Sequence, residues 1–391
     1  MKLNVFGAGY VGLSQAVFFA KKFEVALYDI EYDKINLINE GTSPIKEDLL
    51  CRHLEKVTNN LTAFHIDEFN GVEENVISII CLPTNFNEQL GAFDTSIVET
   101  CVKKIVDSCK HTQIIIKSTV PIGFTDELSS RLGAENIFFS PEFLREGWAM
   151  HDCLYPNRIV VGSTGYFAKK YGELVADLAI SRNYKTFYTD SKTAETIKLA
   201  SNCYLANRVA FFNEIDTLAM DLNLDAEMLI HGMCSDPRIG EGYNNPSFGF
   251  GGYCLPKDMA QMEFELKKRN LHSPQLTSVL ASNSARLNNI VLKVMSLKPN
   301  LVGVYRLQMK TGSDNVRMST SVQLAYKLRS MGVNILIYEP EVQVPSDLSE
   351  FVVSSLSEFL SRSELVMANR WHDELNMFKG RVITRDIYNE N

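Results

Sequence analysis

The six residues Gly7-Ala8-Gly9-Tyr10-Val11-Gly12 constrain the fold of this chain more than any others. They follow a short β-prone run, residues 2–6, and precede a segment, 13–20, that reads as helix. Gly-x-Gly-x-x-Gly between a strand and a helix makes a tight turn. It lets a pyrophosphate approach the helix N-terminus, where open backbone N–H groups and the helix dipole favour an anion. A second strand, 24–28, ends at Asp29. A carboxylate there accepts hydrogen bonds from an adenosine ribose and repels a 2′-phosphate, so NAD is expected rather than NADP. The glycines alone would also suit a Gly-rich turn in a non-binding α/β domain. The strand ending in Asp29 favours the dinucleotide.

Further strands are expected at 76–82, 113–117 and 136–139, separated by helices at 94–108 and 123–132. This alternation implies a parallel, doubly wound sheet, whose ligands sit at the carboxyl ends of its strands. Three polar stretches fall there: Pro83-Thr84-Asn85, Ser118-Thr119-Val120-Pro121, and residues 140–147. Each could be a capped turn; three facing one crevice suggest a shared ligand.

A strand at 158–161 and a helix at 166–178 follow. Beyond Asp190-Ser191, a good N-cap, no Pro or Gly interrupts the chain until about Leu222. A helix of about thirty residues would run about 45 Å, long enough to join two domains and to form a dimer spine. Lys198 and Asn202 are four apart and share one face of it. On spacing alone a solvated surface pair is the better reading. A second α/β series follows Pro299, with strands at 301–305, 334–338, 365–368 and 382–384. It lacks the glycine fingerprint, so no dinucleotide is assigned to it. The fold class expected is α/β: two Rossmann-like doubly wound domains joined by a long central helix, divided as 1–190, 191–297 and 298–391.

The stretch 243–258, Tyr-Asn-Asn-Pro-Ser-Phe-Gly-Phe-Gly-Gly-Tyr-Cys-Leu-Pro-Lys-Asp, combines glycines that admit a ligand to the backbone with a thiol, Cys254, beside Lys257 and Asp258. A cation near a thiol favours the reactive thiolate. The plainer reading is a Gly-rich turn with a buried cysteine. The eight cysteines are scattered, with no Cys-x-x-Cys and no zinc spacing, so no metal is expected and a reducing cytoplasm is. With 391 residues and a net charge of -8, two or three domains are expected and a broad nucleic-acid surface is not. No signal peptide and no membrane-spanning run are legible.

The chain resembles the UDP-glucose/GDP-mannose dehydrogenase family along nearly its whole length, and within it the short bacterial UDP-glucose-oxidising members. The stretches that carry the resemblance are 7–12, 117–121, 141–147, 195–202, 236–240, 243–258 and 305–317. The resemblance implies oxidation of the C6 alcohol of UDP-glucose to UDP-glucuronate with two NAD⁺. It implies that Cys254 captures the aldehyde as a thiohemiacetal and then a thioester. It places Lys198 and Asn202 at C6 as oxyanion donors, Asp258 as a base or water-orienting group, and Thr119 and Glu142 at the hydrolytic water. For the cofactor it implies Gly7, Gly9, Tyr10, Val11, Gly12, Asp29, Lys34, Thr84, Thr119, Glu146, Tyr253, Lys257 and Arg317. For the sugar nucleotide it implies Glu142, Phe143, Leu144, Arg145, Lys198, Asn202, Tyr243, Asn244, Asn245, Pro246, Ser247, Gly251 and Lys310. Arg238 is expected to reach the substrate of a partner subunit, so a homodimer is implied. The same chemistry on GDP-mannose or a UDP-N-acetylhexosamine, or a non-catalytic NAD-binding protein, are the alternatives.

Overall fold

A computed structural model of the chain describes residues 1–72, 76–308 and 319–389; the expected site residues Lys310 and Arg317 lie outside them. The chain forms two compact units, Met1–Ala200 and Ser201–Asn391.

The first unit contains β1 (Lys2–Phe6), α1 (Tyr10–Ala20), β2 (Glu24–Asp29), α2 (Tyr32–Asn39), α3 (Asp48–Leu54), β3 (Leu61–His65) and β4 (Ile77–Ile80). A hairpin of β5 (Phe86–Asn87) and β6 (Ala92–Phe93) follows, then α4 (Ser96–Ser108), β7 (Gln113–Ile116), α5 (Phe124–Leu132) and β8 (Ile137–Phe139). It ends with α6 (Ala149–Leu154), β9 (Arg158–Val161), α7 (Tyr166–Leu178), β10 (Lys185–Tyr188) and the start of α8 (Ser191–Leu222). Six strands form one parallel sheet in the order β3-β2-β1-β4-β7-β8, and β9 pairs with β10 in a separate parallel pair. Every residue of β4, β7 and β8 is buried. That is why these strands read as mostly apolar runs, with Ser78 and Gln113 the polar exceptions: helices cover a parallel sheet on both faces. α1 is buried along Gly12–Ala20 and has no polar face, as suits a helix enclosed by its neighbours. The strand order reverses between β1 and β4, so the crevice at their carboxyl ends opens beside the glycine turn.

The second unit holds the remainder of α8, then α9 (Ala226–Cys234), α10 (Cys254–Lys268), α11 (Pro274–Ser296), β11 (Leu301–Tyr305), α12 (Thr320–Ser330), β12 (Asn334–Tyr338), α13 (Leu356–Arg362), β13 (Leu365–Ala368) and β14 (Arg381–Ile383). Its four strands are parallel, in the order β12-β11-β13-β14. The core joins Val302, Val304, Ile335 and Ile337 of the sheet to Leu324 and Leu328 of α12 and to Ile290 and Val294 of α11.

The doubly wound α/β class expected from the sequence is the one observed. Unforeseen are β3, β5, β6, β10, α2, α3 and α6. β3 reads Leu-Thr-Ala-Phe-His, a short mixed run at the sheet edge; its strand state comes from pairing with β2, Val25 opposite Leu61 and Tyr28 opposite Phe64.

The two sheets share a local device. After β1, the Gly7 N–H donates to Tyr28 O (2.8 Å) and the Ala8 N–H to Asp29 Oδ2 (2.5 Å). After β11, the Arg306 N–H donates to Tyr338 O (2.8 Å) and the Leu307 N–H to Glu339 Oε2 (2.6 Å). Gly7 and Arg306 both have positive φ, 100° and 56°. In the second unit the place of Gly7 therefore carries a side chain, and its guanidinium is bonded to Glu341 and Glu374. This is the structural counterpart of the missing fingerprint.

Candidate active site

At the glycine turn each glycine has its own reason. A Cβ on Gly7 would stand 2.6 Å from Cys81 O, and one on Gly12 would stand 1.7 Å from Gly7 O, so both sit where backbones cross. A Cβ on Gly9 would meet nothing within 4 Å, which leaves that side of the turn open to a ligand. Gly9 is the N-cap of α1 and provides no side-chain cap, and the first turn carries no acidic residue. The helix start is therefore available to an anion. Asp29 closes the turn: besides Ala8, its Oδ1 accepts the N–H groups of Ile30 (2.8 Å) and Glu31 (3.0 Å). Lys34 pairs with Glu31 at 2.6 Å. The turn, the open helix start and the terminal carboxylate fit an adenine dinucleotide.

The polar stretches beyond β4, β7 and β8 are tied together. Thr84 Oγ1 donates to Thr119 O (2.5 Å) and Lys117 Nζ to Ser140 O (3.2 Å). In the loop after β8, Lys198 of α8 donates from Nζ to Glu142 Oε1 (2.7 Å) and to Glu142 O (2.9 Å). The two side chains are 5% and 10% exposed. Burial works to raise the Glu142 carboxyl, but the Lys198 charge and hydrogen bond, with the Leu144 N–H, outweigh it and hold the group below the usual carboxylate range. Lys198 is thus a buried ammonium at a carboxylate, not the solvated surface group that spacing alone favoured. Phe143 lies beneath the Arg158 guanidinium at 3.7 Å. Leu144 packs on the core, and Glu146 is half-buried. Arg145, expected to touch substrate, is forked onto Asp152 through Nε (3.0 Å) and Nη2 (2.6 Å).

In the second unit Cys254 is exposed and is the first residue of α10, with Tyr253 as its N-cap. A helix N-terminus is where a thiolate is stabilised. The plainer reading of a buried cysteine does not hold for Cys254, whereas Cys153, Cys203 and Cys234 are buried. Asp258 follows one turn along α10 and is fully buried. Its Oδ2 accepts from Asn202 Nδ2 (2.5 Å) and its Oδ1 from Lys257 Nζ (2.8 Å). So α8 carries two site groups one turn apart, and each meets its own carboxylate: Lys198 at Glu142, Asn202 at Asp258. The Cys203 thiol, 3.8 Å from Asp258 O, is pushed up to about 12 by burial and then by the Asp258 charge.

The segment 243–253 is pinned internally. Asn244 Nδ2 donates to Cys234 Sγ (3.2 Å) and to Tyr388 Oη (3.1 Å). Asn245 donates to Asp386 (2.7 Å) and accepts from the Ile387 N–H (3.1 Å). Ser247 Oγ is bonded to Gly249, and Pro246 is buried. The side chains of Asn244, Asn245 and Ser247, expected at the substrate, hold the loop in shape. Tyr243 is exposed and at φ 56°, and Gly251 is half-buried. Arg238 is 88% exposed and forked onto Asp236, closest at 2.5 Å.

Two residues escaped the sequence reading as individuals. Glu195, fully buried on α8, accepts the N–H groups of Gly123 (2.5 Å) and Thr125 (3.0 Å) and the Thr125 hydroxyl (2.6 Å) at the start of α5. Burial pushes its carboxyl up to about 7 against those bonds. Arg286 of α11 is buried against Asp216, which also binds Arg385, and donates Nε to Ser247 O (2.9 Å). A charged residue inside a helical apolar pattern was the only signal for either.

Among the described residues no group of three His, Cys, Asp or Glu is placed to hold a metal ion, and no helix is long and apolar enough to cross a membrane.

Three family models cover the chain in order. Residues 1–178 match the NAD binding domain of the UDP-glucose/GDP-mannose dehydrogenase family, 192–285 its central domain and 303–390 its UDP binding domain. Two relatives named UDP-glucose 6-dehydrogenase, from Campylobacter jejuni and Streptococcus pneumoniae, are 39% and 40% identical, each alignment covering 99% of both chains. A UDP-glucose dehydrogenase structure from Pyrobaculum islandicum superposes with a TM-score of 0.86 at 25% identity, over 99% of this chain and 95% of that one. A UDP-D-ManNAc dehydrogenase from Pyrococcus horikoshii shares the fold, with a TM-score of 0.83 at 23% identity, over 100% and 97%. With the open glycine turn, the Asp29 corner and the exposed Cys254 all within matched segments, the chain belongs to the UDP-glucose/GDP-mannose dehydrogenase family.

Proposed function

We propose that this chain is an NAD-dependent UDP-glucose 6-dehydrogenase, oxidising UDP-glucose to UDP-glucuronate in two steps. The observation that carries the reading is Cys254, exposed at the first residue of α10 with Asp258 one turn along the same helix, bonded to Asn202 and Lys257. The full-length relatives named for this activity support it. NAD⁺, when bound by the glycine turn and Asp29, accepts the hydride lost from C6 in each oxidation.

The chain's own groups do the rest. In the first oxidation C6 loses a hydride and its hydroxyl loses a proton, leaving an aldehyde. The Cys254 thiolate adds to that carbon, the C–S bond forms, and the oxygen takes a proton. The product is a thiohemiacetal. Loss of a second hydride and the hydroxyl proton leaves a thioester. Water then attacks, the C–S bond breaks, and the carboxylate and thiolate are released. We assign oxyanion stabilisation to the Lys198 ammonium and the Asn202 amide, as cationic and amide donors. Proton transfer falls to Asp258 and to Glu142, which is held ionised beside Lys198. Thr119 and Glu142 are assigned to the hydrolytic water. The assignments at Tyr10, Val11, Lys34, Thr84, Glu146, Tyr253 and Lys257 for the cofactor, and at Phe143, Leu144, Arg145, Tyr243, Asn244, Asn245, Pro246, Ser247 and Gly251 for the substrate, stand as parts of the same proposal. So does the division into 1–190, 191–297 and 298–391.

A homodimer is part of the reading. On α8, Tyr204, Phe211 and Leu218 stand at seven-residue spacing, and with Leu222 they are 48–60% exposed. An apolar stripe of this kind suits a second copy of the helix. An exposed Arg238 suits a reach into the partner's substrate. A reducing cytoplasm is inferred from the eight free cysteines.

The test is turnover with UDP-glucose, GDP-mannose and a UDP-N-acetylhexosamine. About two NADH per UDP-glucose consumed is the expected yield, and glucuronate production is expected to be lost in Cys254→Ser. Oxidation of GDP-mannose in preference to UDP-glucose would overturn the substrate assignment. Undiminished glucuronate from Cys254→Ser would overturn the covalent step.

A further inference from the structure

The backbone just ahead of Cys254 is held by side chains from elsewhere in the second unit. The Ser247 N–H donates to Asn213 Oδ1 (2.8 Å), Ser247 O accepts from Arg286 Nε (2.9 Å), and the Phe248 N–H donates to Asn369 Oδ1 (3.0 Å). At Phe250 one side chain serves both polar groups. The Phe250 N–H donates to Asn283 Oδ1 and Asn283 Nδ2 donates to Phe250 O, each at 2.8 Å. This is the two-way pairing that one residue of an antiparallel strand gives its neighbour, supplied here by a carboxamide on α11. Asp in its place could accept but not donate, and a hydroxyl could not span both groups.

Two further observations fit the contact to this loop. Gly249 has φ 144°, and a Cβ there would stand 2.8 Å from Asn283 Oδ1, so the glycine and the asparagine are matched. Phe250 is 4% exposed, so water does not readily replace a lost partner. Only residues 251–253 separate Phe250 from Cys254, and α10 packs on α11. The anchor therefore lies within four residues, at most about 14 Å of chain, of the thiol.

We propose that Asn283 is a positioning residue for Cys254, acting through the backbone of Phe250. This rests on Cys254 being the nucleophile, as read above. Asn283 meets no reacting atom; it fixes where the loop delivers the thiol.

The experiment compares wild type, Asn283→Ala, Asn283→Asp, Cys254→Ser and the double variant Asn283→Ala/Cys254→Ser. It measures NADH formation from UDP-glucose, with residual rates taken at high enzyme concentration, together with melting and NAD⁺ affinity. A misplacement on the scale of 1 Å lowers turnover about 100-fold, so Asn283→Ala is expected to lose about 10- to 100-fold in kcat. KM for NAD⁺ changes less than kcat, because the glycine turn and Asp29 belong to the other unit while only Tyr253 and Lys257 move with the loop. Asn283→Asp, which keeps the acceptor for the Phe250 N–H, falls between. If Asn283 acts through Cys254, adding Asn283→Ala to Cys254→Ser lowers the residual rate by less than about twofold. Wild-type kcat in Asn283→Ala would overturn the proposal. So would an equal loss in the wild-type and Cys254→Ser backgrounds, which would mark a general structural role. If Cys254→Ser itself turned over normally, the nucleophile reading would fail first and take the proposal with it. Should Asn283→Ala not fold, Asn283→Asp carries the same comparison.

Discussion

Lys198→Met should expose how far Glu142 depends on its partner. In the wild type the carboxylate lies 2.7 Å from the ammonium, with both side chains at or below 10% exposure. Methionine keeps the length of the stem and removes the charge. Glu142 then faces the burial that works to raise it, without the charge and hydrogen bond that lower it. Breaking a buried pair from one side costs about 3–5 kcal/mol, because the other charge is left uncompensated. For a unit of this size, Met1–Ala200, each kcal/mol moves the melting temperature by roughly 2–4 °C, so the first unit should melt roughly 6–20 °C lower at pH 7.5.

The pH dependence follows from the sign. In the wild type the Glu142 pKa is depressed, so its contribution is present above the unfolded carboxylate value, about 4.3, and is lost as pH falls through the lower folded value. In the variant the folded pKa lies above the unfolded one, so acid neutralises the stranded charge and relieves the cost. The gap between wild type and variant should therefore be widest near pH 7.5 and shrink toward pH 4. Adding Glu142→Gln to Lys198→Met should recover part of the loss at pH 7.5. Differential scanning calorimetry at pH 7.5, 6 and 4.5 reads all of this. A gap under about 1 kcal/mol, or one that does not change with pH, would refute the reasoning.

Two other outcomes can be checked directly. Glu195, raised from an ordinary 4.5 to about 7, should make the wild type lose stability as pH rises through that window; Glu195→Gln should flatten the loss, seen as converging or crossing melting curves between pH 4.5 and 7.5. Asp29→Ala removes the carboxylate that bonds the Ala8, Ile30 and Glu31 N–H groups, so KM for NAD⁺ should rise about 10-fold or more while the preference over NADP⁺ narrows, measured as the ratio of kcat/KM values.

The sequence carried the parts that depend on local rules. Glycines at 7, 9 and 12 between a strand and a helix, and Asp29 at the end of the next strand, need only neighbouring residues to be legible. Strand-like runs such as Ile77–Ile80 and Gln113–Ile116, alternating with helical segments, announced a parallel, doubly wound sheet. The long α8 was visible because nothing in 191–222 breaks a helix. Cys254, with its glycines before it and Lys257 and Asp258 behind, stood out as a unit.

Pairings over long chain separations were decided only by tertiary structure. Spacing put Lys198 and Asn202 on one helix face and favoured a solvated pair. Packing instead brought Lys198 to Glu142 and Asn202 to Asp258, each 56 residues away. The resemblance placed Asn244, Asn245 and Ser247 at the substrate; only the fold showed that they also bond Tyr388, Asp386 and Gly249, because buried polar groups find partners in the chain. Glu195 and Arg286 were invisible for the same reason. A buried charge is defined by what surrounds it, and a local pattern records only which side of a helix it occupies.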